Sequence, residues 1–428
     1  MTPTITGDRQ PRPMAVATPH APSQAPSAEI GSRAARRRVA FWLLAFVFAA
    51  AMLGTTLPTP LYVIYQARWH FSAATVTVIF AVYAAAVLAT LLLAGRSSDQ
   101  AGRKSVLAVA LGISVLSTVA FIFAPDEGVL LVGRVLSGLS AGLMTGTATA
   151  TLTELVPASA HRRASLAATA ANMGGLGLGP LIAGLFAQYA PHPTTLVFEV
   201  YLVMLAAAGA SLFFVPETVF PRRRPTLRFA GLGIPERGRG QFIAAAVAAF
   251  AAFALLGLFS SLVPGFIGGV LHQNSHAVQG AVVFLMFAVG TVTQVALSRF
   301  SSRRVVLAGL GLFLVALALI LTALAQAAMA LFLAGTVVGG AAVGAIFLGS
   351  LATANRLAPP ERRSHALSAF FVACYAGLII PVVGVGVLSG FIGTFPAVLA
   401  FCILLAALCL FSLARSATAL ASDTAASQ

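Results

Sequence analysis

A chain of 428 residues in which 59% are hydrophobic and only 9% charged cannot cover itself with polar surface, so a water-soluble globule is excluded. The net charge of +15 would suit a polyanion, but the basic residues stand in small groups between apolar runs, without an aromatic-interleaved basic domain to grip a strand. Nucleic acid is therefore not an expected partner.

Residues 1–38 are rich in Pro, Ala, Ser and Arg and are expected to form a disordered cytoplasmic tail. The apolar run after Arg36, Arg37 and Arg38 is too long for a cleavable signal sequence, so the first span is expected to remain as an anchor. Runs of roughly 20 apolar residues then recur as far as Leu413, each long enough to cross the bilayer as a helix. They are apolar all round, whereas barrel strands would alternate. Spans are expected near 40–64, 73–94, 105–124, 129–153, 164–188 and 196–215, then near 241–264, 277–297, 305–324, 329–353, 365–388 and 395–414. The polar segment 216–240 is the expected cytoplasmic linker between bundles at 39–215 and 241–415, and 416–428 forms a second tail.

A shift of 202 positions lays Gly133, Gly138, Gly142, Leu155, Pro157 and Gly175 onto Gly335, Gly340, Gly344, Leu357, Pro359 and Gly377. The expected fold is thus an all-α membrane protein of twelve transmembrane helices in two pseudo-symmetric six-helix bundles. Parallel repeats of this kind place a substrate site at their interface near the bilayer midplane. With the N-terminus cytoplasmic, 24 of the 26 Lys and Arg residues fall on the cytoplasmic side, the exceptions being Arg68 and Arg134. Both termini are therefore expected to face the cytoplasm, in a bacterial inner membrane.

Between the second and third spans, Gly95, Asp99, Gly102, Arg103 and Lys104 form a tight loop with a carboxylate among cations. A carboxylate at a helix end can accept N–H groups from the start of a neighbouring helix. The loop resembles the signature loop of the major facilitator superfamily, with Ser97 and Gln100 departing from its usual residues. The resemblance implies a latch in which Asp99 docks near His365 to Ser368 when the cytoplasmic side is shut, and Arg103 pairs with Glu154. In the second half the equivalent loop, Ser298 to Arg304, lacks both the acid and the glycines.

The fourth span carries Arg134 together with Gly133, Gly138 and Gly142, small residues at spacings that let helices approach closely. An intramembrane arginine faces a polar cavity or a partner, or else snorkels to the headgroups. The family resemblance gives Arg134 a role in proton coupling or in tethering neighbouring helices. Gly175, Gly179, Pro180 and Gly184 in the fifth span require a bent or closely packed helix. They resemble the superfamily's antiporter motif, with Ala183 where a second glycine is usual, and this block favours export over import. Pro216, Glu217 and Thr218 after the sixth span are a further family feature.

No Walker-type loop is present, so an ion gradient is the expected energy source, with protons the expected coupling ion. Glu199 is the candidate pathway acid, and its alternative is a residue at headgroup level. Tyr62, Tyr83, Asn172, Phe253, Gln294 and Tyr375 are candidates for the substrate cavity, each equally able to pack between helices or at a lipid interface. With so few charges in the spans, the expected substrate is a small, largely apolar or amphiphilic solute, carried by a monomeric exporter without cofactor. An importer of a sugar or metabolite and a non-transporting sensor or scaffold are the alternatives. Cys374, Cys402 and Cys409 lie in apolar runs without metal-ligand spacing, and no nucleophile, base or metal cluster converges, so neither a metal site nor an enzyme is expected. Reporter domains fused after residue 225 and after residue 428 should both report the cytoplasm, and opposite locations would refute the charge-based orientation.

Overall fold

The structure is a computed structural model that describes residues 27–94, 97–219 and 231–425. The described residues hold twelve helices long and apolar enough to span a membrane: Ala35–Trp69, Ala73–Ala94, Arg103–Ile122, Glu127–Glu154, Ala158–Tyr189, Pro193–Phe213, Arg239–Ser261, His276–Leu297, Ser302–Ala325, Met329–Leu357, Arg363–Ile392 and Thr394–Arg415. Gly95 lies outside the described residues, as do most of the expected N-terminal tail and the middle of the linker. The tails are shorter than composition suggests. The first helix starts at Ser27, inside segment 1–38, and the last runs on to Ala425. Both extensions are rich in Ala, a strong helix former, and continue a helix already nucleated by its apolar part.

The two halves are built alike. The third span packs on the fourth and the ninth on the tenth, the second on the fourth and the eighth on the tenth, and the first on the fifth and the seventh on the eleventh. The repeated glycines explain these pairings. A Cβ on Gly133 would lie 2.8 Å from Phe121 in the third span, and one on Gly335 would lie 2.9 Å from Ile320 in the ninth. Gly138 faces the second-span backbone at Tyr83, just as Gly340 faces the eighth-span backbone at Met286. Gly175 faces Ala49 in the first span, and Gly377 faces Phe250 in the seventh. Helices in lipid gain no hydrophobic drive to associate, so such close backbone contact supplies the dispersion energy instead.

Two main contacts join the halves: the fifth span against the eighth, and the second against the eleventh. Gly184 meets Gly280 in the first seam and Gly386 meets Thr77 in the second. Both glycine contacts sit at the end of the bundle away from the clustered arginines, while Arg162 Nη2, donating to Ser298 Oγ at 3.1 Å, joins the fifth span to the end of the eighth near the arginines. We call these the far end and the basic end.

The opening helix of each half is broken at matching depth. The first helix stops at Thr56 and a new one, Pro58–Trp69, begins; the seventh span stops at Ser261 and Val263–Gly269 follows, with Pro264 near its start. Proline lacks an N–H and clashes with the preceding turn, which forces the interruption. Hydroxyls just before each break turn back onto their own helix: Thr55 Oγ1 donates to the Met52 carbonyl at 2.7 Å and Ser261 Oγ to the Gly257 carbonyl at 2.7 Å. Thr56 does more. Pro180 inside the fifth span leaves the Leu176 carbonyl without its helical donor, and Thr56 Oγ1 donates to that carbonyl at 2.8 Å. Thr56→Val should therefore lower stability by about 1–2 kcal/mol while Thr56→Ser preserves it. Thermal unfolding in detergent checks this, and equal midpoints for the two variants would contradict it.

Candidate functional site

At the basic end, Arg103 is the hub of a cluster. It begins the third span behind Gly102, whose φ of 92° is the left-handed region that glycine tolerates. Its Nη2 donates to Glu154 Oε1 at 2.8 Å and its Nη1 to Ser98 Oγ at 2.6 Å, with Asp99 Oδ1 also 2.6 Å from Nη1. The expected Arg103–Glu154 pair is thus present. Asp99 is placed differently: its carboxylate, 55% exposed, pairs with Arg103 four residues on. The start of the eleventh span instead meets the linker, where the Gly233 N–H donates to the His365 carbonyl at 3.2 Å. A contact of Asp99 with residues 365–368 is not part of this conformation.

Glu217, which follows the sixth span, is central to the cluster. Its carboxylate accepts the backbone N–H groups of Arg103 at 2.8 Å and Lys104 at 3.1 Å, capping the third span. The same carboxylate accepts from Thr218 and Val219, while Thr218 Oγ1 donates to Glu154. Lys104 Nζ donates to the Phe213 carbonyl at 2.9 Å, covering the last turn of the sixth span. One knot thereby joins the third, fourth and sixth spans and the short helix Ser97–Ala101 that follows the second. The signal for Glu217 was a lone acid just past an apolar helix, but which helix it caps depends on chain folding.

Between the halves lies a cavity of about 420 Å³. Tyr83, Asn172, Phe253, Gln294 and Tyr375, all read from sequence as cavity candidates, line it together. Phe253 stands 5.4 Å from the Phe347 ring and 6.0 Å from Tyr375. Thr56, Phe80 and Ser260, all buried, form its floor toward the far end, while exposed Gly146 and Ser165 form its rim, so it opens at the basic end. No charged residue lines it among the described residues. Phe287, Phe347 and Phe371 were missed, and the internal repeat relates the last two to residues lining the opposite wall. Thr145, Thr149, Thr169, Met173 and Leu176 all line the cavity, and a shift of 202 maps them onto Phe347, Leu351, Phe371, Tyr375 and Leu378, which line it too. The cavity is thus two-fold in position but lopsided in chemistry, with threonines facing phenylalanines.

Tyr62 is the exception among the candidates. It lies beyond the break in the first helix, on the far side of the floor, against Arg134. Arg134 is only 1% exposed, which excludes snorkelling. Its guanidinium carbon sits 4.8 Å from the Tyr83 ring centre, 5.7 Å from Tyr62 and 5.9 Å from Phe80, and Nη1 donates to the Thr55 carbonyl at 2.5 Å. Three aromatic faces and a carbonyl thus replace the acid that a buried cation usually finds. Glu199 does not serve as that partner or as a cavity acid: it is exposed on the outer face of the sixth span, near its far end.

The fifth-span block divides its work. Gly175 and Gly179 receive the first span within their own half, while Gly177 and Gly184 receive the eighth span across the interface, at Phe287 and Gly280.

Twin six-helix bundles enclosing a cavity at their interface are the architecture of a solute transporter. The family model of the Major Facilitator Superfamily matches residues 44–380, and the chain belongs to that superfamily of secondary transporters. An uncharacterised MFS-type transporter of Mycobacterium tuberculosis is 31% identical over 148 residues, 34% of this chain and 25% of that protein. Multidrug resistance protein 2 of Bacillus subtilis is 28% identical over 185 residues, 43% of this chain and 46% of that protein. The matches therefore span less than half of these relatives' lengths. A bacterial homologue of the human lysosomal transporter Spinster, solved inward-facing and occupied, shares the fold with a TM-score of 0.68 at 16% identity, covering 88% of this chain and 96% of that one. A human organic anion transporter does so with a TM-score of 0.65 at 16% identity, covering 88% and 99%.

Glu217→Ala should destabilise the protein by about 1–2 kcal/mol through loss of the helix cap, whereas Glu361→Ala, at an exposed site, should change little. Matched thermal melts test this, and equal midpoints would show that the Glu217 contacts carry no weight.

Proposed function

We propose that this transporter exports a small, largely apolar or amphiphilic solute in exchange for protons, by rocking its two halves about the central cavity. The observation that carries the reading is the cavity itself: apolar and aromatic walls, a few hydroxyls and amides, no fixed charge, and an opening at the basic end. If the basic end faces the cytoplasm, as the positive-inside rule directs, the conformation is inward-open and ready to load from within. Sealing at the far end by Gly184–Gly280 and Gly386–Thr77 leaves opposite motions of the same seams to open the other side. The antiporter-like glycines of the fifth span and the likeness over part of the chain to a multidrug resistance protein both favour export.

Asp99, unused by the eleventh span here, is free to act as the latch of the alternate state, with Arg103, Lys104, Gly102 and Glu154 forming its seat. No carboxylate lines the cavity among the described residues, so the protonation event that drives exchange falls outside it.

Inverted membrane vesicles carrying the protein should accumulate an amphiphilic dye when their interior is acidified, and a protonophore should abolish the uptake. Accumulation in right-side-out vesicles instead would establish import. Asp99→Asn should cut the rate by about ten-fold or more, the equivalent of roughly 1.4 kcal/mol in the latched state, with little change in dye binding. An unaltered rate would remove Asp99 from the cycle.

A further inference from the structure

Past the floor of the central cavity lies a second concavity of about 230 Å³, formed by both halves at the far end. The helix breaks separate the two: Thr56 and Ser260 face the central cavity, while Thr59, Tyr62, Ser261 and Ser389 face the second chamber. Exposed Gly265 lies on its rim, so it is reached from the far face.

The chamber is lined by groups that are short of partners. The hydroxyls of Thr59 and Tyr62 are buried, at 0% and 2% exposure, and neither has a hydrogen-bond partner in the protein. Behind Tyr62 stands Arg134, whose Nε and Nη2 are also buried and unpartnered. Both ion pairs among the described residues lie at the basic end, and no acid lines the chamber. A permanent cation with unspent donors in a low-dielectric wall repels cations and attracts anions. The hydroxyls of Thr59 and Tyr62 supply donors with adjustable direction.

We propose that this chamber is a second solute site, selective for the carboxylate of a small organic acid. Thr59 and Tyr62 bind the carboxylate directly, and Arg134 provides the charge through and beside the Tyr62 ring. The site is separate from the central cavity and does not depend on the direction of transport.

The test uses the full chain in lipid nanodiscs and fluorine NMR of three probes of one shape: 4-fluorobenzoate, 4-fluorobenzyl alcohol and 4-fluorobenzylammonium. The carboxylate should bind about ten-fold more tightly than the alcohol, and the ammonium should bind most weakly. Thr59→Val and Tyr62→Phe, each removing one hydroxyl at nearly constant shape, should weaken the carboxylate about three- to ten-fold. Arg134→Gln should erase the preference for carboxylate over alcohol. Equal affinity for the three probes would overturn the proposal, as would carboxylate binding unchanged in both hydroxyl variants. Should Arg134→Gln fail to fold, the two hydroxyl variants decide the matter. Benzoate selectivity that persists while dye export is absent would leave the chamber standing and remove only the export reading.

Discussion

Hydrocarbon offers no hydrogen bonds, so every backbone amide and carbonyl in the spans has to find its partner within the protein. Helices meet that demand at once, and their irregularities then have to be repaired by side chains. The contact of Thr56 with the Leu176 carbonyl is such a repair: a proline bends the fifth span, and the break in the first helix delivers the hydroxyl that the bend requires. The bend and the break are therefore one structural device, and it lies where the central cavity has its floor. The same demand explains why the glycines are spent at contacts between helices. Backbones that approach at Gly138, Gly175 and Gly184 pack without side chains between them.

The two ends of the molecule are held by different physics. At the basic end charged groups meet where water is near, and the Arg103 cluster ties three spans of one half and the short helix after the second together without touching the other half's helices. At the far end the halves meet mainly through glycine, threonine and backbone, with the Gln188 side chain accepting from the His276 N–H at 2.9 Å. An interface made of close dispersion contacts is discrete: it is either seated or apart, which suits a two-state machine better than a set of long, adjustable ion pairs.

Arg134 occupies the partition between the two cavities. A cation there is expensive, and its cage of Tyr62, Phe80 and Tyr83 links it to both sides, because Phe80 and Tyr83 line the central cavity and Tyr62 lines the far chamber.

The amino-acid sequence by itself determined the membrane class, the number of spans and the duplication, because hydropathy over roughly 20 residues and glycine spacing are local patterns that lipid enforces directly. The family resemblance implied the Arg103–Glu154 pair, and five of the six cavity residues were indicated because polar and aromatic side chains within spans tend to turn inward. Tertiary structure alone decided the rest. It put Tyr62 beyond the helix break, turned Glu199 outward, gave Glu217 the cap of a helix more than a hundred positions away, and paired Asp99 with Arg103 rather than with the eleventh span. Each of these depends on which helix lies beside which and at what depth, and that information resides in three-dimensional packing between distant segments rather than in any local run of residues.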